Sequence, residues 1–285
     1  MQLIVESGAT KTKWIVLDED QVVVQKESQG LSPYFQTSEQ IQGIVTETLH
    51  EWTSSIYTVA YYGTGVDGTQ NAQIIQLAFQ RSFPHMKSIG LYSDMMAAAR
   101  ATLQNQEGVV CILGTGSNSC IYDGRTIVQQ KRGFGYVLGD YGSGAVLGRT
   151  LVSEFLHHKM PVELIESWRQ SGYDYDPAVI LEKTYRGDFP SRYLASFAPF
   201  ASQYQEVPYM RELLRQHFQK FVDYLLGPLL ANHEKLPVHV VGSVGFYFEK
   251  PLREVINHQG YHLKLVTKDP SEGLIAFHLK NKSQQ

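Results

Sequence analysis

A short cluster of small and hydroxyl-bearing residues, 114–117, is the segment whose residue types most clearly suggest chemistry. The apolar run 109–113 before it predicts a strand buried on both faces, and residues 120–122 after it predict a second strand. In a P-loop or a dinucleotide-binding loop, the glycine turn instead opens a helix whose N-terminus holds the phosphate. Here the backbone N–H groups of a strand-to-strand turn, with the hydroxyls of Thr115 and Ser117, are predicted to hold an anion.

The N-terminal sequence repeats this arrangement. Moved forward by 105 positions, it places Thr10 on Thr115, Asp18 on Asp123, Gln25-Lys26 on Gln130-Lys131 and Gly30 on Gly135. Both copies predict a strand, a turn of small residues, a strand, an Asp turn, a strand and a glycine, which indicates an internal duplication. Two related halves that each offer a phosphate-sized turn suggest one nucleotide held in a cleft between two domains. In the first half, the candidates for contact with phosphate are Gly8, Thr10 and Lys11.

Two carboxylates and one threonine follow predicted strands. Glu6 stands where the first strand meets its glycine turn, so it can meet hydrated Mg²⁺, although a solvated acid at a strand end is the plainer interpretation. Asp94 stands between a strand and a helix-forming run, where it can cap the helix, worth about 1 kcal/mol, or act as general base for an alcohol substrate. The two roles of Asp94 are compatible. Thr64 lies at the carboxyl end of another strand and could touch a substrate hydroxyl.

Glycines are concentrated in two further segments. The segment 133–144 is the densest, and Asp140 is its one fixed charge. Glycines let the main chain approach a ligand closely, and apolar residues between them are unusual in a surface linker, so we interpret this segment as a ligand loop. Near the C-terminus, Gly242, Ser243 and Gly245 open a helix directly after a buried strand, where a flat or charged ligand can approach the backbone.

The composition is typical of a globular protein. The 285 residues are 43% hydrophobic and 19% charged, which suits two domains with a substantial core. A formal net charge of -3 gives no basic field for nucleic acid or an anionic membrane, and no apolar run approaches the ~20 residues that span a bilayer. We therefore expect a soluble, cytoplasmic protein. Cys111 and Cys120, the two cysteines, are expected to be small buried residues in consecutive strands.

Hydrophobic periodicity predicts an α/β order in both halves. Strands are predicted at 3–5, 14–17, 22–24, 58–62, 89–93, 109–113, 120–122, 238–241 and 262–266. Helices are predicted at 38–54 with Ser38 as cap, 71–81, 95–102, 145–157, 209–232, from 242 to 256 and at 272–280, with short helices and no chemistry over 161–208.

Together these motifs resemble the actin-like ATPase and sugar kinase superfamily. More narrowly, residues 114–118, 139–143 and 241–244 are similar to motifs of the N-acetylglucosamine kinase branch of the BadF/BadG/BcrA/BcrD ATPase family. The resemblance implies an α/β fold of two actin-like ATPase (ribonuclease H-like) domains with a cleft between them. The expected domains are 1–107 and 108–285, with the last helix able to pack back on the first domain.

The resemblance also implies a role for each matched residue. ATP and Mg²⁺ would be the cofactors, and an N-acetylated amino sugar, N-acetylglucosamine first, would accept the phosphoryl group on its 6-hydroxyl. Asp94 would take the proton of that hydroxyl, and Glu6 would hold Mg²⁺ through water. Contacts with ATP would come from Gly8, Thr10, Lys11, Gly114, Thr115, Gly116, Gly242, Ser243 and Gly245. Contacts with the sugar would come from Thr64, Asp94, Asn118, Gly133, Phe134, Gly135 and Asp140. The same relatives suggest a homodimer.

Three departures from the family pattern keep other acceptors open. Ser7-Gly8-Ala9 stands in place of a run of glycines, Phe134 in place of a tryptophan in the sugar loop, and a sugar-contacting asparagine is replaced near Tyr34. ATP use and fold do not depend on these positions, but the shape of the sugar pocket does. N-acetylmuramic acid and glucosamine are therefore alternative substrates.

Other functions of related proteins stay open as well. Dehydratase-activating ATPases share the phosphate motifs but hold an iron–sulfur cluster with cysteines from two subunits, and strands around the phosphate turn are a poor place for such ligands. A catalytically silent sugar-sensing module is disfavoured because Glu6, Asp94 and both turns are retained. A sugar-responsive DNA-binding repressor lacks support because no helix-turn-helix segment precedes the first predicted strand.

Overall fold

A computed structural model describes residues 1–8, 11–66 and 68–282 of the chain. The strands in that part are β1 (Gln2–Ser7), β2 (Lys11–Asp18), β3 (Gln21–Gln29), β4 (Thr58–Gly63), β5 (Ser88–Tyr92), β6 (Glu107–Leu113), β7 (Ser117–Asp123), β8 (Ile127–Arg132), β9 (Val238–Val241) and β10 (Leu263–Thr267). The helices are α1 (Ser38–Leu49), α2 (Thr69–Ser82), α3 (Asp94–Leu103), α4 (Gly135–Leu138), α5 (Gly144–Leu156), α6 (Val162–Gln170), α7 (Pro177–Tyr185), α8 (Pro190–Ala195), α9 (Ala198–Gln203), α10 (Pro208–Phe221), α11 (Gly227–Leu230), α12 (Ser243–Tyr247), α13 (Glu249–His258) and α14 (Ser271–Lys282). A 3-10 turn follows α1 at His50–Trp52, and a π-helical turn at Val222–Leu226 joins α10 to α11.

The two five-stranded sheets have the same topology. The first has the strand order β3-β2-β1-β4-β5 and the second, read in the same direction, β8-β7-β6-β9-β10. In each sheet the first three strands form an antiparallel meander, and two later strands run parallel to the first. Each meander has a register shift at the equivalent place, between Val16 and Leu17 and between Ile121 and Tyr122. The duplication predicted from the 105-residue spacing is thereby confirmed.

The chain divides into two compact units, and the first comprises Met1–Gln104 together with the chain from Pro270 on. Successive residues of its sheet face opposite sides, as the period of two along a strand requires. Leu3 and Val5 pack in the cluster that includes α1 and α2, whereas Ile4 packs with Ala97 of α3 and Leu274 of α14. Helices therefore cover both faces of this sheet, and α14 belongs to the first unit.

The second unit is Asn105–Asp269 and begins just before β6. Its core joins the sheet to most of the helices between β8 and β10. Trp168 of α6 is fully buried and stacks on Phe155 and Phe197 with ring centroids 5.0 and 5.1 Å apart. Cys111 and Cys120 are buried in β6 and β7, as predicted.

Several helix ends differ from the predicted ones by a residue or more. Thr37, not Ser38, caps α1, and it forms a capping box with Gln40. Ser93, not Asp94, caps α3. The helix predicted over 242–256 is broken at Phe248 into α12 and α13. Within the described ranges, the helices are all too short or too polar to cross a bilayer.

Candidate functional site

The predicted site residues of the first half lie after strand ends at one edge of the first sheet. Ser7 at the end of β1 lies beside Gly63 at the end of β4, and the parallel strand β5 ends next to them. Gly8 and Thr64 follow the ends of β1 and β4 directly, and Asp94 follows the end of β5 after one residue, Ser93. This edge is the carboxyl end of parallel strands, where α/β proteins bind their ligands.

Asp94 is the first residue of α3 and is half-buried. Its Oδ1 accepts a hydrogen bond from the N–H of Met95 at 2.8 Å. The capping role belongs to Ser93, whose Oγ accepts from the N–H of Met96 at 3.3 Å. Because a helix N-terminus favours negative charge, this position stabilises the ionised carboxylate, the form that a general base requires.

At the described ends of the first predicted phosphate turn, the N–H of Gly8 donates to the carbonyl of Lys11 at 3.0 Å. The Nζ of Lys11 lies 3.1 Å from the carboxylate of Glu27, and both side chains are exposed, so solvent weakens this ion pair. The predicted phosphate contact Thr10 lies outside the described residues.

Glu6 is the predicted Mg²⁺ contact, and it stands directly opposite Lys13 in the β1–β2 ladder. Among the residues described, no group of three or more His, Cys, Asp or Glu side chains is arranged to hold a metal ion. A single carboxylate still fits Mg²⁺, since this ion keeps several waters and takes its other ligands from substrate phosphates.

The second predicted phosphate turn, 114–116, is hydrogen-bonded to the start of α5. The N–H of Gly114 donates to the carbonyl of Gly116 at 3.0 Å, which closes the turn. The carbonyls of Gly114 and Thr115 accept from the N–H groups of Gly144 and Ala145 at 2.8 and 3.1 Å. The first amides of α5 are thus already bonded, so an anion at this turn would have to use the amides of the turn itself, as the sequence predicted for a strand-to-strand turn.

A cavity of about 700 Å³ opens beside this turn within the second unit. Its size falls in the range of small-molecule sites. The walls come from the turn, the start of α5, the pair α8–α9, and α12 with the residue that follows it. The lining residues are Gly114, Thr115, Gly144, Arg192, Ala195, Ser196, Ala198, Pro199, Ser202, Gln203, Ser243, Val244, Tyr247 and Phe248.

Gly242 lies between the backbone before turn 114–116 and the cavity residue Ser243. Its φ of 124° lies outside the range that other residues adopt easily, and a Cβ there would lie 2.3 Å from the carbonyl oxygen of Leu113. Ser243, which follows it, lines the cavity. Gly245 has another role in the fold, because a Cβ on it would lie 2.4 Å from Cγ1 of Val240 in the strand beneath. Gly245 therefore permits close packing of α12 on β9.

Sequence reasoning missed the wall that α8 and α9 contribute, since residues 161–208 were expected to carry no chemistry. A signal was present at Gly148 of α5, where a Cβ would lie 1.8 Å from the carbonyl oxygen of Leu194. Only glycine lets α8 approach α5 so closely. The sequence shows this glycine but does not show which segment packs against it.

The predicted sugar residues of the second half, apart from Asn118, lie in the segment 133–140 after β8. Phe134, Gly135 and Asp140 all have positive φ, at 67°, 80° and 48°. Phe134 is 74% exposed. A Cβ on Gly133 would lie 2.0 Å from Oδ1 of Asp140, so the glycine makes room for that carboxylate. Left-handed conformations at non-glycine residues are uncommon and are concentrated at ligand-binding segments.

Asp140 is the charged centre of this loop. Its Oδ1 accepts from the N–H of Gly135 at 3.2 Å. Burial raises the pKa of the Asp140 carboxyl, and hydrogen bonding to the N–H groups of Gly135 and Ser117 partly opposes that rise. The hydroxyl of Ser117 is buried and has no hydrogen-bond partner within the described part of the chain. Buried polar groups nearly always have a hydrogen-bond partner, so this hydroxyl is an exception beside the Asp140 carboxylate.

Asn118 lies at the start of β7, where its register partner in β8 is Arg132, the residue before Gly133. Its Oδ1 accepts from the N–H of Ser119 and from Nε2 of Gln130, both at 3.0 Å. Within the second unit, the structure therefore brings Asn118 and the 133–140 loop to the same end of the sheet as the phosphate turn.

Two mixed sheets of one topology, each with a β-turn-β unit and helices on its faces, define a two-domain α/β protein with the fold of actin-like ATPases and sugar kinases. The fold prediction is confirmed. The chain belongs to the BadF/BadG/BcrA/BcrD ATPase family, whose sequence profile matches residues 5–171.

Solved structures support this assignment over the full length. A protein from Porphyromonas gingivalis, provisionally named N-acetylglucosamine kinase, is 38% identical, with a TM-score of 0.93 and coverage of 99% of this chain and 100% of that one. A protein from Chromobacterium violaceum with the same provisional name is 19% identical, with a TM-score of 0.75 and coverage of 97% and 98%. A glucokinase of the ROK family from Streptomyces griseus, solved with glucose and AMPPNP, is 14% identical, with a TM-score of 0.60 and coverage of 96% and 97%. The last two similarities concern the fold alone.

Proposed function

We propose that this protein is an ATP-dependent kinase that phosphorylates the 6-hydroxyl of an N-acetylated amino sugar, with N-acetylglucosamine as the preferred acceptor. The observation that carries the proposal is the cavity beside turn 114–116, in a chain 38% identical over its length to a protein provisionally named N-acetylglucosamine kinase. The chain belongs to an ATPase family, which supports ATP as the nucleotide.

On the nucleotide side, the apolar walls of the cavity suit adenosine, and the turn at its mouth suits the phosphates. Thr115 supplies a hydroxyl, and Ser243 supplies another at the start of α12. Gly8 and Lys11 belong to the equivalent turn of the first unit and are proposed to contact the same phosphates. Glu6 would hold Mg²⁺ through water, and that ion would neutralise charge on the phosphates.

On the sugar side, Asp94 is proposed as the general base. As the 6-hydroxyl oxygen bonds to the γ-phosphorus, its proton passes to the Asp94 carboxylate, and the bond from that phosphorus to the bridging oxygen breaks to release ADP. Transfer of this kind depends mainly on alignment and charge neutralisation, so a weak carboxylate base suffices. Thr64, Asn118, Asp140 and the backbone of 133–135 would hold the other sugar groups.

The acceptor itself is tested by a coupled ADP-release assay with N-acetylglucosamine, N-acetylmuramic acid, glucosamine and no sugar. We expect the highest kcat/KM with N-acetylglucosamine, and NMR of the product should show phosphate on oxygen 6. A preference for N-acetylmuramic acid or glucosamine would change the substrate and keep the kinase. ATP hydrolysis at one rate with and without every sugar would contradict the proposal.

The dehydratase-activating ATPase is the other candidate that family membership raises. Such an activator holds an iron–sulfur cluster with cysteines from two subunits. Both cysteines here, Cys111 and Cys120, are 0% exposed within adjacent strands. This burial favours the kinase, and a brown, iron-containing protein after anaerobic purification would favour the activator.

A further inference from the structure

A second cavity, of about 530 Å³, lies in the first unit between the sheet and the helices α3 and α14. Gln2, Thr58 and Ser88, the first residues of β1, β4 and β5, lie along it. It therefore opens at the amino edge of the parallel strands, whereas Asp94 follows the carboxyl edge. Its other lining residues are Val59, Ala60, Gly90, Tyr92, Arg100, Phe277, His278 and Asn281.

The guanidinium of Arg100 is the charged group of this cavity. It lies 3.9 Å from the ring centre of Tyr92 and 5.1 Å from that of Phe277, and its Nη1 donates to the hydroxyl of Tyr62 at 2.9 Å. Its Nε is buried and has no hydrogen-bond partner among the described residues. No carboxylate of the described chain forms an ion pair with it, and the groups in contact with its guanidinium include the uncharged aromatic side chains of Tyr62, Tyr92 and Phe277.

The polar neighbours of Arg100, Gln2 and His278, are hydrogen-bond donors and carry no negative charge. Gln2 donates through Nε2 to Nδ1 of His278 at 3.0 Å, so the proton of the neutral ring is on Nε2, which lies 2.9 Å from the Tyr62 hydroxyl. Burial and the charge of Arg100 lower the pKa of His278 to about 4, so the ring carries no charge at neutral pH. Arg100 and His278 thus both donate to one phenol oxygen.

A half-buried cation without an anionic partner is costly, and aromatic rings offset only part of that cost. We propose that this cavity binds a small ligand bearing a carboxylate or phosphate group, with Arg100 as the counter-charge and Phe277 and Tyr92 as its apolar wall. Gly90 keeps the space open, because a Cβ there would lie 2.7 Å from the ring of Tyr92.

The test is thermal unfolding of the full chain, titrated with inorganic phosphate and, separately, with malonate, at constant ionic strength and with chloride as the reference. At least one anion should raise Tm progressively with the logarithm of its concentration, and the dissociation constant fitted to this rise should be roughly millimolar. Arg100→Gln should raise that dissociation constant about tenfold or more, because it removes a charge-assisted contact. A response to phosphate alone identifies a phosphate ligand, and a response to malonate alone identifies a carboxylate.

Two further variants complete the experiment. Arg81→Gln removes an exposed charge of the same unit, paired with Glu39, and should leave the fitted dissociation constant unchanged. Gln2→Glu places a carboxylate in the cavity and should abolish the anion effect, which keeps the proposal testable if Arg100→Gln does not fold. The proposal is overturned if neither anion raises Tm more than chloride does, or if the fitted dissociation constant is the same in the wild type and in Arg100→Gln or Gln2→Glu. Phosphate bound at turn 114–116 would give that second result.

Discussion

At the scale of single residues, the structure assigns the helix cap to Ser93 and leaves Asp94 for the general-base role that we propose. Ser93 caps α3, and Asp94 follows it as the first helical residue. Neighbouring Ser and Asp residues are equally good caps, so the sequence could not choose between them. The helix cap and the proposed general base can therefore be tested separately by substitutions at two adjacent positions.

We predict that Asp94→Asn lowers kcat by about 10²–10⁴ because it removes the proton acceptor, while sugar binding changes only a few-fold. Steady-state kinetics and calorimetric binding of N-acetylglucosamine measure the two effects. Ser93→Ala is the matched control, expected to cost about 1 kcal/mol of stability through loss of the cap and to keep kcat. Turnover of Asp94→Asn near that of the wild type would remove Asp94 from its proposed role.

At the scale of elements, the strand-to-helix junction at Gly242 depends on one backbone conformation. Its φ of 124° and its approach to the carbonyl of Leu113 exclude a side chain. We predict that Gly242→Ala lowers the free energy of unfolding by about 1–3 kcal/mol, as strained positive-φ residues do, and weakens ATP binding. Urea unfolding and nucleotide titration measure the two effects.

Gly43 provides the comparison for this substitution. It is an exposed glycine within α1, and a Cβ on it would meet nothing within 4 Å. Gly43→Ala should therefore stabilise the protein by about 0.5–1 kcal/mol through helix propensity. Equal effects of the two substitutions would mean that the junction at Gly242 tolerates a side chain.

The elements also show where sequence reasoning succeeds and where it stops. Apolar runs of period two and the 105-residue repeat predicted both meanders, because these patterns are local. The cavity wall from α8 and α9 was not predictable, since it exists only where α8 meets Gly148. Arg192 and Gln203 of that wall lie in short helices whose sequences have no binding motif. The candidate site was therefore predicted at its turns and strand ends, but not at its helical wall.

At the scale of the whole molecule, each unit contains a buried or half-buried histidine whose protonation is disfavoured, His278 in the first and His217 in the second. Burial lowers the pKa of His217 in the second unit to about 4, and burial with Arg100 does the same for His278 in the first. An unfolded histidine binds a proton below about pH 6.5. The contribution of each neutral histidine to the free energy of unfolding is therefore complete above that pH and is lost as the pH falls towards 4.

We predict that the free energy of unfolding falls between pH 6 and 4.5 by up to about 1.4 kcal/mol per pH unit for each of the two histidines. Scanning calorimetry across this range measures it and also shows whether the two units unfold together. His217→Gln and His278→Gln should each flatten the curve, whereas His233→Gln, at an exposed position, should not. A profile equally steep in all three variants would contradict this account.

The register shifts at Val16/Leu17 and Ile121/Tyr122 bear on the history of the molecule. An extra residue in one strand turns every later side chain of that strand to the opposite face, so the irregularity and the pattern after it must be inherited together. Two independent acquisitions at matching positions would require two coordinated sets of changes. Matching shifts in the two meanders are therefore what the duplication of one meander that already contained the extra residue predicts.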